Sequence, residues 1–359
     1  MTSNNNKKVL SVFSLVMINV IAIDSLRNLP ANAETGLAII IYYLLASIIF
    51  LLPYILITAE LSTYYPKTGG VYVWVREAFG PRWAFVNIWL QWIYNVVWYP
   101  TILSFVATNI AFLFDPALAN NKMFILPVTI SLFALSTLSN CYGIKISSLV
   151  STISAIGGTI IPMLAIIILG LLWIVNGHPL ALNLPQQLST NNLFNYNNLA
   201  YIVVIFFSLI GFEMSATHAG DVKNPQKDYP KALLISAVII VTSLILASAA
   251  IAIIVPKQHL NLISGLDQAF IQFLNAFHLS WLSPILIILI ILGAFGGISA
   301  WVIGPTRSLM VAARDECFPK AFGKTNKRQA PVPILITQLV VVTLLCCGYT
   351  LFKQMTTWY

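Results

Sequence analysis

Charged side chains are scarce in this chain. Asp, Glu, Lys and Arg make up 8% of its 359 residues, while 58% are hydrophobic. Soluble domains carry about 25% charged residues, and a water-facing surface about 25–35%. A soluble enzyme, a secreted binding module and a disordered scaffold are therefore excluded. Cysteine is sparse too. Cys141, Cys317, Cys346 and Cys347 form no C-x-x-C pair and no disulfide ladder, and the adjacent Cys346 and Cys347 lie in an apolar run, so all four read as structural. No cleavable signal peptide stands out, because the first apolar run is long and no small-residue site ends it. No phosphate loop, nucleophile elbow or metal-ligand spacing occurs, so neither a cofactor nor a metal is implied. The net charge of +8 does not point to nucleic acid, since the cations sit between apolar runs.

What is present is a series of long apolar runs, and the expected class is an all-α polytopic membrane protein. A membrane-crossing helix needs about 20 apolar residues. Such runs fall at 9–35, 38–61, 84–114, 123–142, 148–175, 198–219, 232–255, 283–305 and 332–352. With the N-terminus inside, the inner segments collect Lys7, Lys8, Lys67, Arg76, Arg82, Lys145, Lys223, Lys227, Lys231, Arg307, Arg314, Lys320, Lys324, Lys327 and Arg328. The outer segments keep Arg27, Lys122, Lys257 and Lys353. This asymmetry predicts a cytoplasmic N-terminus in the plasma (inner) membrane. Residues 62–83 read as a turn followed by a short amphipathic interfacial helix. Residues 176–197, rich in Asn and Gln and free of charge, read as a polar outer loop.

Polar groups inside the spans point to function, because a charge at mid-membrane costs about 2.5–3.5 kcal/mol on insertion scales. The first run leads into Ile23-Asp24-Ser25-Leu26-Arg27-Asn28-Leu29-Pro30, with Asp24 about 22 Å beyond Val9 at helical rise. Asp, Ser and Asn compete with the backbone for hydrogen bonds, and Pro30 cannot donate to residue 26. Two arrangements fit: a kink with Asp24 and Arg27 ion-paired at i,i+3, or a discontinuous helix whose bared backbone lines a binding cavity. In the sixth run, Ser208-Leu209-Ile210-Gly211-Phe212-Glu213 is followed by Ser215, Thr217 and His218. Here too there are two arrangements: unwinding at Gly211 beside a functional Glu213, or a tight helix crossing with Glu213 merely hydrogen-bonded. Two interrupted spans, five apart, are a pointer to an inverted-repeat transporter.

Other signals are weaker. Gly293 and Gly297 form a GxxxG packing face. Trp301 reads as an interface anchor or a pocket wall. In the third run, Trp89, Gln91, Trp92, Tyr94, Asn95, Trp98 and Tyr99 recur at helical spacing, as packing or as ligand contacts. Glu60 marks the inner end of the second run, and His178, His259 and His278 suggest no metal site.

Three stretches resemble the amino acid–polyamine–organocation superfamily of permeases, and within it the glutamate/GABA antiporter family. They are Glu60-Leu61 through Pro66, Gly69-Gly70, Tyr72 and Trp74-Val75; Gly211-Phe212-Glu213 through Thr217-His218, with Asn224-Pro225 and Asp228-Tyr229-Pro230; and Ser299-Ala300-Trp301 through Gly304-Pro305-Thr306-Arg307, with Phe318-Pro319 and Pro331-Val332-Pro333. The resemblance implies a five-plus-five inverted-repeat transporter fold with discontinuous helices 1 and 6. The first repeat would cover 9–175 after a tail at 1–8, and an incomplete second repeat 198–359. It further implies that an amino acid or related amine is bound by Ile23, Asp24, Ser25, Leu26, Ser208, Ile210 and Gly211. Trp301 would wall and gate this site, and Glu213 would couple gating to protons by antiport or symport. Partners implied are that substrate, protons and the lipid bilayer, with no nucleic acid and no enzymatic activity.

The chain departs from the family pattern in three places. Ile23-Asp24-Ser25 replaces the usual small-residue break and puts a carboxylate where a substrate carboxylate is expected. Gly297 stands where glutamate/GABA exchangers carry an acidic residue. The sequence also ends after the ninth run, so truncation after helix 9 is expected, with a non-transporting permease fragment as the rival reading. A polytopic membrane enzyme is a second rival, for which only His218 beside Thr217 offers any catalytic grouping.

Overall fold

A computed structural model describes residues 10–182, 199–262 and 264–351. The expected tail at 1–8, most of the polar loop at 176–197 and the last eight residues lie outside the described residues. The described chain is helical, and nine helices among the described residues are long and apolar enough to cross a membrane. Their surface has the chemistry of a lipid-facing one. Ile48 and Ile49 are 66% and 67% exposed, and Leu56, Leu90, Leu138, Ile168, Val238 and Leu344 are exposed likewise.

The first span consists of α1 (Val12–Ile23), a 3-10 turn (Leu26–Asn28) and α2 (Leu29–Ala33). The second joins α3 (Ala38–Ala46) to α4 (Leu52–Tyr64) through a π segment at Ser47–Leu51. After α5 (Val71–Phe79) come α6 (Pro81–Phe114) and α7 (Lys122–Cys141). The fifth span joins α8 (Ile144–Ile153) to α9 (Ile161–Val175) through a second π segment at Ser154–Ile160. Both π segments lie just before a proline, Pro53 and Pro162. A proline has no N–H for the carbonyl four residues earlier, and the ladder widens to accommodate that. The remaining elements are α10 (Leu199–Ser208), a 3-10 stretch (Phe212–Asp221), α11 (Pro225–Ile254), α12 (Gly265–Ala276), α13 (Ser283–Arg314) and α14 (Val332–Leu351).

The helices outrun the apolar windows that reveal them in the sequence. α13 continues nine residues past 305, because Arg307 is buried against protein rather than lipid. α11 begins at Pro225, after Asn224, rather than at 232. The expected short helix after the second span is present as α5, but its Tyr72, Val73 and Trp74 are buried against the bundle. The glycine face of the eighth span is a packing face: Gly293 and Gly158 meet backbone to backbone, and Gly296 lies against Ser154. This crossing clamps the π segment of the fifth span onto α13. No disulfide joins any of the four cysteines among the described residues.

Candidate functional site

The first span is broken at its centre. At Asp24, ψ of 68° takes the chain out of the helix, although its N–H still reaches Val20 O at 2.8 Å. The Ser25 N–H turns back to Ile23 O at 2.8 Å, and Ser25 is extended before the 3-10 turn begins. Asp24 is 2% exposed. Its Oδ2 accepts a 2.8 Å hydrogen bond from Ser243 Oγ on α11. Its Oδ1 has no hydrogen-bond partner among the described residues.

The sixth span breaks between Ser208 and Phe212. Gly211 has φ of +130° and ψ of −3°, a conformation open to glycine and costly for other residues. A Cβ there would lie 2.9 Å from Ile23 Cγ1 and 3.2 Å from Trp301 Cζ2, so both φ and space require glycine. The two breaks therefore rest against each other. Tyr54 of α4 reaches into the second break, where its hydroxyl oxygen accepts from Gly211 N–H at 3.3 Å and Glu213 N–H at 3.4 Å. The same hydroxyl donates to Glu213 Oε2, and Gln91 Nε2 donates to Glu213 Oε1 at 3.3 Å. Glu213 is thus buried between neutral donors from the second and third spans.

Trp301 covers the first break from α13. Its indole N–H donates to Ala22 O at 2.8 Å, and its ring centroid lies 6.0 Å from that of Trp98. Between them is a cavity of about 30 Å³, walled by Ile21, Ala22, Asp24, Ser25, Leu26, Arg27, Trp98, Phe105, Thr159, Gly297 and Trp301 among others. That is room for about one water, so this conformation is closed around the site.

Of the residues expected from the sequence to bind substrate, Asp24, Ser25, Leu26 and Trp301 wall the cavity. Ile23, Ser208, Ile210 and Gly211 are not on its wall. Ile23 and Gly211 instead seal it by packing on each other, and the Ser208 hydroxyl is turned to Tyr43 Oη at 2.7 Å. Tyr43 in turn accepts from Asn32 Nδ2 at 2.9 Å, which ties the far half of the first span to the sixth. Arg27 borders the same cavity as Asp24, and Ser243 donates the hydrogen bond to the Asp24 carboxylate. Most third-span aromatics are packing: Trp92 bonds Gln338 Oε1 at 2.8 Å and stacks on Trp89. Trp98 is the exception. Tyr43, Tyr54 and Ser243 were not marked by the sequence. Each is a hydroxyl in a largely apolar run, beside another hydroxyl in the cases of Tyr43 (Tyr42) and Ser243 (Thr242), and nothing local tells which one faces the protein.

A second polar layer lies toward the side bearing most basic residues. Arg307 is 8% exposed and donates to Asp221 Oδ2 at 2.8 Å and to His218 Nδ1 at 2.5 Å. Since a guanidinium only donates, His218 Nδ1 accepts. The 3-10 stretch is further held by Tyr229 Oη, which donates to Ser215 O at 2.5 Å, and by Leu10 N–H, which donates to Asp221 O at 3.0 Å. Gly70, at φ of +49°, comes so near Thr217 that a Cβ would lie 3.0 Å from its backbone nitrogen. Outside the spans, Arg76 donates to Asp315 Oδ2 at 2.6 Å and Tyr72 Oη donates to the same oxygen at 2.9 Å. The Asp315 hydrogen bond, helped by Glu77, raises the Arg76 pKa above its ordinary value, and burial beside Asp315 pushes the Tyr72 phenol up. Among the described residues, no three His, Cys, Asp or Glu side chains gather as a metal site would need.

Two broken spans thus meet under a tryptophan. Residues 9–358 match the amino acid permease family. The chain belongs to this family. Its relatives include an uncharacterized transporter of Legionella pneumophila, 49% identical over 99% of this chain and 76% of the relative. The glutamate/gamma-aminobutyrate antiporter of Lactococcus lactis is 26% identical over 94% of this permease-family chain and 68% of its own length. A Lactococcus lactis protein named a probable agmatine/putrescine antiporter is 26% identical over 89% of the chain and 67% of its own. The protein is a multi-pass membrane member of a family that moves amino acids and amines.

Proposed function

We propose that this protein is a secondary active permease that carries a small amino acid or amine, by antiport or by proton coupling, through a site between its two broken spans. The carrying observation is the contact of the breaks: Gly211 against Ile23, with Trp301 bonded to Ala22 O above a cavity bounded by Asp24, Ser25 and Leu26. Backbone groups freed at helix breaks are tolerated in a membrane where they line a cavity or lie within protein, and they suit a small polar solute. Relatives named for glutamate/gamma-aminobutyrate and agmatine/putrescine exchange support both solute classes.

In this reading, the cavity enlarges when the Trp301 indole releases Ala22 O and swings away. Glu213, held by Tyr54 and Gln91, takes up and gives back the proton that biases the two arrangements. The layer of Arg307, Asp221 and His218 with the Leu10 bridge keeps the cytoplasmic side shut while the outer path is open. The spans of 9–175 and those of 198–359 act as two repeats related by an axis in the membrane plane. The protein sits in the plasma membrane with its N-terminus in the cytoplasm, as the clustering of Lys and Arg supports.

The test is counterflow. Purified chain is reconstituted into liposomes preloaded with one unlabelled amino acid or amine, and entry of the labelled compound is followed. Accumulation above protein-free liposomes for at least one compound is expected. No accumulation across the twenty amino acids and common amines overturns the reading.

A further inference from the structure

The cavity holds a carboxylate that nothing in the resting arrangement fully satisfies. Asp24 is 2% exposed, and one of its oxygens accepts from Ser243 while the other has no hydrogen-bond partner among the described residues. A buried carboxylate oxygen left unpaired costs free energy, so a donor brought into the cavity against it would be favoured. Its position matters as much. It lies in the break of the first span, where the backbone would otherwise be open to a solute's own carboxylate. A solute carboxylate at this break would face a like charge at close range in a low-dielectric surround. The backbone past the break offers little in return. It is three residues of 3-10 turn and five of α-helix, too short to build up a helix dipole that would favour an anion.

The opposite charge fits. An ammonium group presents three donors, and one of them can meet Asp24 Oδ1 while Ser243 keeps hold of Oδ2. The aromatic walls, Trp98 and Trp301, are also the surfaces on which a cation rests favourably. We infer that Asp24 is the specificity-determining residue of this permease site, and that it selects a primary amine without an α-carboxylate over the corresponding amino acid. This rests on the permease reading of the site and narrows its substrate class. Arg27, on the same cavity wall, is the group that would favour a carboxylate instead, so the two side chains make opposite demands on the solute.

Matched pairs that differ only in the carboxylate separate them: isobutylamine and valine, agmatine and arginine, cadaverine and lysine, tyramine and tyrosine. Binding to the purified chain is measured by calorimetry and by thermal shift. At least one amine should bind about tenfold or more tightly than its amino acid, and Asp24→Asn should weaken that amine by a similar factor, the size expected for one charge-assisted hydrogen bond. Ser243→Ala, which leaves the carboxylate in place but loosens it, should weaken the same amine by a smaller factor. This second variant keeps the test alive if Asp24→Asn fails to fold. Amino acids binding more tightly than their amines, with that preference lost in Arg27→Gln and kept in Asp24→Asn, overturns the inference while the permease reading survives. Amine affinity unchanged in both Asp24→Asn and Ser243→Ala overturns it too. No binding by any member of any pair overturns the inference, and the permease reading falls with it only where counterflow across the twenty amino acids and common amines is absent too.

Discussion

Trp301 and Ala22 are joined by a 2.8 Å hydrogen bond from the indole N–H to a backbone carbonyl in the last turn before the break. An α-helix leaves its final carbonyls without intrahelical donors, and here a side chain from the eighth span supplies one. The same side chain therefore closes the cavity and satisfies the broken helix. It can leave only if something else bonds that carbonyl.

Substitutions at Trp301 should separate these two roles. Trp301→Phe keeps an aromatic wall but loses the donor, a change of about 0.5–1.5 kcal/mol. It should lower the melting temperature slightly and shift the resting protein toward the open arrangement, read as faster labelling of an engineered cysteine at Ser25. Trp301→Ala removes the wall as well and should reduce counterflow at least tenfold. Wild-type transport in Trp301→Ala would end its role as a gate.

Glu213 accepts from two neutral side-chain donors, and among the described residues no cation joins them. Glu213→Gln can keep an acceptor for Tyr54 while abolishing titration. Uptake by the variant should continue but lose its dependence on pH, measured in liposomes across a range of internal and external pH. Tyr54→Phe removes one donor and the cover over the Gly211 amide, so it should shift the pH profile without flattening it. A profile for Glu213→Gln that overlays the wild type would assign proton coupling elsewhere.

The spans were legible because about 20 consecutive apolar residues have few other uses. The break at Asp24 was legible because an acid, two hydrogen-bonding residues and a proline fall together in such a run, and the break at Gly211 because glycine precedes Glu213. What completes the site was not. Tyr54 meets Glu213 across 159 residues of sequence and Ser243 meets Asp24 across 219. A hydroxyl in an apolar helix carries no local mark of which partner tertiary packing will bring to it. Ser208 sits beside the second break, and its hydroxyl is held by Tyr43 across 165 residues, another partner that nothing local announces.

The pair of Arg307 and Asp221 should be structural as much as functional. Both side chains are about one-tenth exposed, at 9% and 10%. Removing one partner of a buried ion pair leaves the other charge uncompensated and costs about 3–5 kcal/mol. Arg307→Met and Asp221→Leu should each lower the melting temperature markedly. The double variant should recover part of that loss, because the desolvation of both charges is removed together. If the layer also shuts one side of the transporter, the double variant should leak substrate down its gradient even where its stability is restored. Stability losses that simply add in the double variant would show that the two side chains do not act as a pair.

Asp267 gives a pH dependence of stability that is independent of transport. It lies on α12, outside the spans, where Gly265 packs against Pro30 of the first span. The carboxyl is 5% exposed, its Oδ2 has no hydrogen-bond partner among the described residues, and burial pushes its pKa from 3.8 up to about 7. A carboxyl with a raised folded-state value binds its proton more tightly folded than unfolded. Its contribution is therefore fully present below pH 3.8 and is lost progressively as the pH rises to about 7. Above that, the buried charge is a constant penalty. Asp267→Asn cannot ionise, so it should match the wild type in melting temperature near pH 4 and exceed it at pH 8. Its melting temperature should also change less between those two pH values. A wild type and variant that stay parallel across the whole range would mean that Asp267 is solvated in the folded protein, and that α12 does not seal against the first span.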